Sequence, residues 1–168
     1  ILGFSEVGVM ASLNIPQVDV FLILIIAVAS TGSEILDLGV TQTNDSQIRS
    51  SNHLTLEALF RSNGAEVLQI GPIIDDIDTI TNFFESSLKK ADIVVTTGGV
   101  SVGDYDFVQD VIKDRLKAKV LFHGVLIKPG LHILIALKDE KVIVALPGFA
   151  YSSTVTAILY VLPLIYKF

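Results

Sequence analysis

Residues Val94 to Val108 read VVTTGGVSVGDYDFV. The apolar run Ile93, Val94 and Val95 feeds Thr96-Thr97-Gly98-Gly99, a further glycine follows at Gly103, and Asp104 and Asp106 flank Tyr105 at an expected helix start. Strand, glycine loop and helix is the order that brings backbone N–H groups up to an anion. Glycine tolerates both the close approach and the positive φ that such a loop demands. The stretch therefore predicts an α/β domain with a ligand site at the carboxyl end of a buried strand.

The flanking sequence agrees. Val18 to Ala29 reads as the first central strand, Glu66 to Ile70 as a short strand broken by Pro72, and Asp92 to Thr96 as the strand entering the glycine loop. Val120 to Ile127 reads as a strand ending in Lys128-Pro129-Gly130, and Ile133 to Leu137 with Val142 to Leu146 as a hairpin. Helices are predicted near Asn52 to Ser62, capped by Ser50 or Ser51, and after Asp75 or Asp76, where Ile77, Ile80, Phe83, Phe84 and Leu88 recur at helical spacing. Two more are predicted over Tyr105 to Leu116 and Ser152 to Tyr166, the latter with Pro163 near its end. Residues 1–16 read as a short helix and turn, and Gly39 to Ser51 as a polar, mobile loop. Alternating strands and helices imply parallel pairing with helices on both faces, a three-layer α/β/α sandwich around a mostly parallel sheet. Near-continuous apolar strands fit a sheet buried on both sides.

The 168 residues suffice for one domain with a full core, and 51% hydrophobic content excludes a disordered chain. With 18 acidic against 12 basic residues the formal charge is -6, and no Lys/Arg block occurs, so no nucleic-acid partner is expected. Cysteine is absent, which excludes disulfides, thiolate metal sites and a Cys nucleophile and fits a cytoplasmic location. Val20 to Ala29 falls short of the ~20 residues of a membrane-crossing helix. The uncharged stretch Val142 to Tyr166 is divided by Pro147-Gly148 and Ser152-Ser153-Thr154, so no membrane association is expected either. The chain begins with Ile, and we expect residues 1–17 to end a linker or preceding region and 18–168 to form the domain, excised from a longer protein.

Sheets of this kind bind ligands at the carboxyl ends of their strands. Three glycine-bearing loops fall there: Ser30 to Ser33, Thr96 to Asp104, and Leu146 to Ser152. Asp104 and Asp106 are suited to helix capping and equally to Mg²⁺, a hard cation that takes oxygen ligands. Lys128, before a rigid Pro-Gly turn, is suited to an oxyanion. Ser101, Thr97 and Ser152 are hydroxyl donors without a neighbouring base, which argues against nucleophilic catalysis. His53, His123 and His132 show no metal-ligand spacing and are assigned to surface or core.

Taken in order, Thr31-Gly32-Ser33-Glu34, Gln47-Ile48-Arg49-Ser50-Ser51-Asn52, TTGGVSVGDYDFV, Ile127-Lys128-Pro129-Gly130 and Leu146-Pro147-Gly148 resemble the molybdopterin-binding domain of MoeA-type molybdenum insertases and of the smaller MogA and MoaB proteins. The resemblance runs from about residue 5 to the end. It implies binding of adenylylated molybdopterin and molybdate, and insertion of the metal with release of AMP, assisted by Mg²⁺. It further implies a homodimer, and a MogA-like protein as a possible partner. By motif position, Thr31, Gly32, Thr97, Gly98, Gly99, Ser101, Gly103, Pro147, Gly148 and Ser152 would contact the pterin nucleotide. Asp104 and Asp106 would hold Mg²⁺, and Lys128 would lie near the oxyanion, these three being the expected catalytic residues. The family pattern Leu-Pro-Gly-Asn-Pro-Val-Ser here reads Leu-Pro-Gly-Phe-Ala-Tyr-Ser, Ser50 stands where Asp is common, and Leu131-His132 where Lys-Pro is common. These departures favour one alternative, a non-catalytic pterin- or nucleotide-binding or scaffold domain; a MogA-like adenylyltransferase is a third, weaker option.

Overall fold

The computed structural model describes residues 2–20, 22–100 and 106–167. In chain order the elements are α1 (Phe4–Ser12), β1 (Ile25–Thr31), β2 (Ile35–Leu36), β3 (Ile48–Arg49), α2 (Asn52–Ser62), β4 (Glu66–Ile73), α3 (Ile77–Leu88), β5 (Ile93–Thr97), α4 (Phe107–Asp110), β6 (Lys119–His123), β7 (Leu134–Lys138), β8 (Lys141–Leu146), α5 (Ala150–Thr156) and α6 (Leu162–Lys167). A π-helical turn continues α4 through Val111–Arg115, and another joins α5 to α6 through Ala157–Val161.

Six strands form one sheet in the order β4-β1-β5-β8-β7-β6. The first four are parallel, and β7 is antiparallel to both β8 and β6. Alternation along β1 separates two cores. Ile26 and Val28 face a cluster with Leu56 and Phe60 of α2 and Ala157, Val161 and Leu162 beyond α5. Ala27 and Ala29 face Ile80, Phe83 and Phe84 of α3 and Val108, Val111 and Ile112 of the α4 segment. On the second face the small Ala27 and Ala29 lie opposite the large Phe83 and Phe84, while on the first Ile26 and Val28 pack against Leu56 and Phe60, and both faces are closely filled. Each large side chain fully buried this way contributes about 1.5–3 kcal/mol. The result is the expected three-layer α/β/α sandwich.

Several elements differ from the sequence expectation. Strand β1 starts at Ile25, not Val18: Leu22 is 94% exposed, and Val20 and Ile23 are also exposed. Hydrophobicity alone marked them as strand, but β1 begins where its partners begin, with Ile25 opposite Glu66 and Ile26 opposite Ile93. Pro72 lies inside β4 instead of ending it; β4 is an edge strand with an irregularity opposite Val28/Ala29, the setting in which a missing N–H is tolerated. Strand β6 stops at His123, where Gly124 turns with φ +81°. Ser51 precedes α2 without a side-chain cap, whereas Asp76 caps α3 by accepting the Thr79 N–H at 2.8 Å. The polar stretch Gly39 to Ser51, expected to be a loop, contains β3, which pairs with β2 ahead of it, and side chains of the stretch bond back onto its backbone and onto Asp37. Gln47 Oε1 accepts the Thr43 N–H at 2.8 Å, and the Arg49 guanidinium donates to the carbonyls of Asp37 and Val40.

Candidate functional site

The parallel strands deliver three loops to one place. At the carboxyl ends of β1, β5 and β8 lies a cavity of about 370 Å³ lined by Thr31, Thr97, Gly98, Gly99, Val100, Pro147, Gly148 and Phe149. Glu34, Ile35, Ile48, Asn52, Asp75 and His132 complete the wall. Its size suits a small-molecule ligand. The loops are locked to one another: the Gly98 N–H donates to Leu146 O at 3.0 Å, and Thr31 Oγ1 donates to Thr97 O at 3.3 Å. Asn52, first residue of α2, donates through Nδ2 to Gly148 O at 2.6 Å and to Thr97 Oγ1 at 3.4 Å. Gly98 has φ +93°, and a Cβ there would lie 2.6 Å from the Thr31 carbonyl oxygen. Only glycine lets the β5 loop pass this close to β1.

Two carboxylates, Glu34 and Asp75, reach the same cavity. Burial, followed by the charge of Glu34, raises Asp75 above the ordinary carboxylate range, against the Ser33 backbone hydrogen bond that lowers it. Burial likewise pushes Asp106 up to about 6. Asp106 Oδ1 accepts the Gln109 N–H at 3.1 Å and caps α4, while its Oδ2 is buried without a hydrogen-bond partner. No group of three or more His, Cys, Asp or Glu that could hold a metal ion occurs among the described residues. The donors present are carboxylate oxygens, the type that suits Mg²⁺, a cation that keeps several waters and shares phosphate oxygens.

Of the residues singled out in the sequence, Thr31, Thr97, Gly98, Gly99, Pro147 and Gly148 come together in the cavity wall. Gly32, Asp106, Lys128 and Ser152 are not among its lining residues, and Lys128 is exposed. Ser101, Gly103 and Asp104 lie outside the described residues. The structure adds Asn52, Glu34 and Asp75, together with His132, which is neither core nor open surface but cavity wall. A signal existed for Asp75: one carboxylate of the Asp75-Asp76 pair suffices as a cap, which frees the other. Ser50 is buried, with its hydroxyl on His53 Nδ1 at 2.5 Å, and Phe149 stands 83% exposed at the rim.

A family described as "Probable molybdopterin binding domain" matches residues 27–167. The chain belongs to this family. Among its relatives, a molybdopterin molybdenumtransferase of Staphylococcus aureus is 36% identical over 148 residues, spanning 88% of this chain and 35% of that protein. The molybdopterin molybdenumtransferase of Nostoc sp. is 33% identical over 169 residues, spanning 99% of this chain and 38% of that protein. The structure of the molybdopterin biosynthesis MoeA protein from Pyrococcus horikosii superposes with a TM-score of 0.85 at 30% identity, covering 99% of this chain and 40% of that one. Molybdenum cofactor biosynthesis protein B superposes with a TM-score of 0.63 at 13% identity, a likeness of fold. The family and its relatives place the chain among proteins of molybdenum cofactor biosynthesis. It spans little more than a third of the curated relatives it matches. Among the described residues no helix is long and apolar enough to cross a membrane.

Proposed function

We propose that the cavity binds adenylylated molybdopterin and that the protein containing this domain inserts molybdate into the pterin dithiolene with release of AMP. The observation that carries the reading is the convergence of three glycine-bearing loops on one cavity at the carboxyl edge of a parallel sheet, in a chain of the molybdopterin-binding family. Little covalent work by side chains is needed; positioning and charge neutralisation suffice. Backbone N–H groups near Gly99 and Gly148 hold phosphate, with Gly98 and Pro147 shaping the two loops and Thr31, Gly32, Thr97, Ser101, Gly103 and Ser152 as further contacts. Asn52 keeps the two loops at a fixed separation. Lys128 draws in molybdate, the substrate oxyanion. Mg²⁺, when bound, offsets pyrophosphate charge. Asp104 and Asp106 would hold it, with Glu34 and Asp75 as a second carboxylate pair in the cavity wall. A homodimer and a MogA-like donor of the substrate belong to the same proposal.

A second reading, a pterin-nucleotide-binding domain without insertion activity, is favoured by one observation: Ser50, where the family commonly carries a carboxylate, is buried on His53 and presents no charge to the cavity. Calorimetric titration of the chain with adenylylated molybdopterin, with and without Mg²⁺, tests both. Mg²⁺-strengthened binding is the expected result. Binding indifferent to Mg²⁺ favours the non-inserting domain, and no binding to a folded sample refutes a pterin-nucleotide site.

A further inference from the structure

Behind the cavity wall lies a polar cluster that the reading above does not use. His53 of α2 is 0% exposed, yet its Nε2 has no hydrogen-bond partner. Its Nδ1 lies 2.5 Å from Ser50 Oγ and 3.5 Å from Ser30 Oγ. Thr97 Oγ1 donates to Ser30 Oγ at 3.0 Å, and Asn52 Nδ2 donates to Thr97 Oγ1 at 3.4 Å. Asn52 and Thr97 are themselves cavity wall. The donors therefore run inward, from amide to hydroxyl to hydroxyl, and end at a ring nitrogen.

Such a chain has a direction only if its last member accepts. The Nδ1 atom accepts when the ring proton sits on Nε2. Asp37 Oδ1 stands 3.7 Å from Nε2, and a negative charge on that side favours the Nε2–H tautomer. The tautomer is assigned here from the network. We propose that His53 is a positioning residue for the cavity: as a neutral Nε2–H imidazole its single Nδ1 lone pair accepts from Ser50 Oγ at 2.5 Å and, over the longer 3.5 Å, from Ser30 Oγ at the end of the Asn52–Thr97–Ser30 chain, which holds those side chains on the wall, and its protonation turns Nδ1 into a donor and unlocks them.

Asp37, beyond β2, and Glu57, on α2, are the charged groups whose fields reach the ring. Both favour protonation, but burial outweighs them and holds the imidazole below its ordinary value. The folded pKa is thus lower than the unfolded one. The stabilisation from the neutral ring is fully present above about pH 6.5 and is lost as pH falls from there through the folded value.

The tautomer is read first, without ligand, by ¹⁵N NMR of the imidazole at about pH 7.5, a unit above the ordinary His value. Protonated Nε2 with bare Nδ1 is expected; the opposite tautomer overturns the proposal. Titration with adenylylated molybdopterin at about pH 7.5, and at the lower pH where the NMR signals show the wild-type ring protonated, then compares wild type, His53→Leu and His53→Asn; a ring that stays neutral wherever the protein is folded overturns the proposal. This second arm rests on the pterin-nucleotide reading. Wild type is expected to lose about tenfold in affinity on acidification, the equivalent of one hydrogen bond. His53→Asn places an amide oxygen near the Nδ1 position, so it is expected to bind well at about pH 7.5 and to lose clearly less than wild type on acidification, the remaining loss being that of Asp75 and Asp106, whose carboxyls burial also raises. Folded His53→Leu is expected to bind about tenfold more weakly even at the higher pH. Wild-type affinity in folded His53→Leu, or an acid loss in His53→Asn as large as that of wild type, overturns the proposal; the Asn variant decides it if the Leu variant does not fold. A wild type that binds nothing refutes the pterin reading, while the NMR result still decides the tautomer.

Discussion

At Gly98 two requirements meet that are usually separate. The backbone needs φ +93°, and a Cβ would come within 2.6 Å of Thr31 O and 2.9 Å of Thr31 Oγ1. Gly39 isolates the first requirement, since its φ is +82° and nothing lies within 4 Å of where its Cβ would be. Gly39→Ala is therefore expected to cost about 1 kcal/mol, the strain of positive φ alone. Gly98→Ala must in addition push the β5 loop off the end of β1, and we expect about 2–3 kcal/mol and a cavity too distorted to bind. Urea unfolding of the two variants checks this; equal losses would show that the approach of the loop to Thr31 has no energetic consequence. Phe149 makes a different point at the same scale. At the start of α5 it supplies no side-chain cap, and its ring is exposed at the rim of the cavity.

Elements are joined here by few polar ties across long sequence distances. Asn52 connects the start of α2 to the loop after β8, through Gly148 O, and to the end of β5, through Thr97. Asn52→Ala is expected to lower stability by about 1 kcal/mol and to weaken pterin-nucleotide binding. Asp76→Ala serves as its comparison, because it removes the cap of α3, also worth about 1 kcal/mol, at a residue outside the cavity wall. Chemical denaturation together with titration separates the two; if both variants bind alike, the Asn52 tie is structural only. The same contrast explains what could be read in advance. Helix α2 falls over Asn52–Ser62 as its periodicity predicts, and the glycines of the β5 and β8 loops point to the cavity, because both signals are local. Val20 and Leu22 misled because apolar composition reports a preference for burial and says nothing about which partner supplies it. Pro72 misled because its compatibility with a strand depends on β4 being at an edge, a property of the whole sheet. The convergence of Ser30, Ser50, His53 and Thr97 had no local signature at all; parallel register brings Ser30 opposite Thr97, and the turn into α2 adds the other two.

For the whole molecule, the sign of the charge constrains how an anion is held. The formal charge is -6, so a pterin nucleotide or molybdate approaches against the overall field, and screening by salt weakens that repulsion. The attraction comes from oriented N–H groups in the glycine loops, which act over a few ångströms and are far less sensitive to ionic strength than exposed side-chain charges. Lys128 is the single exposed cation in the proposed machinery. Raising salt from about 0.05 M to about 0.5 M, across which the screening length falls from roughly 14 Å to roughly 4 Å, is therefore expected to leave affinity for adenylylated molybdopterin unchanged or slightly improved. A site built from surface Lys and Arg would instead lose affinity steeply over that range. Titrations at the two salt concentrations distinguish them: a loss of tenfold or more would mean that side-chain cations, and not the backbone of the Thr97-Gly98-Gly99 and Pro147-Gly148 loops, do most of the binding.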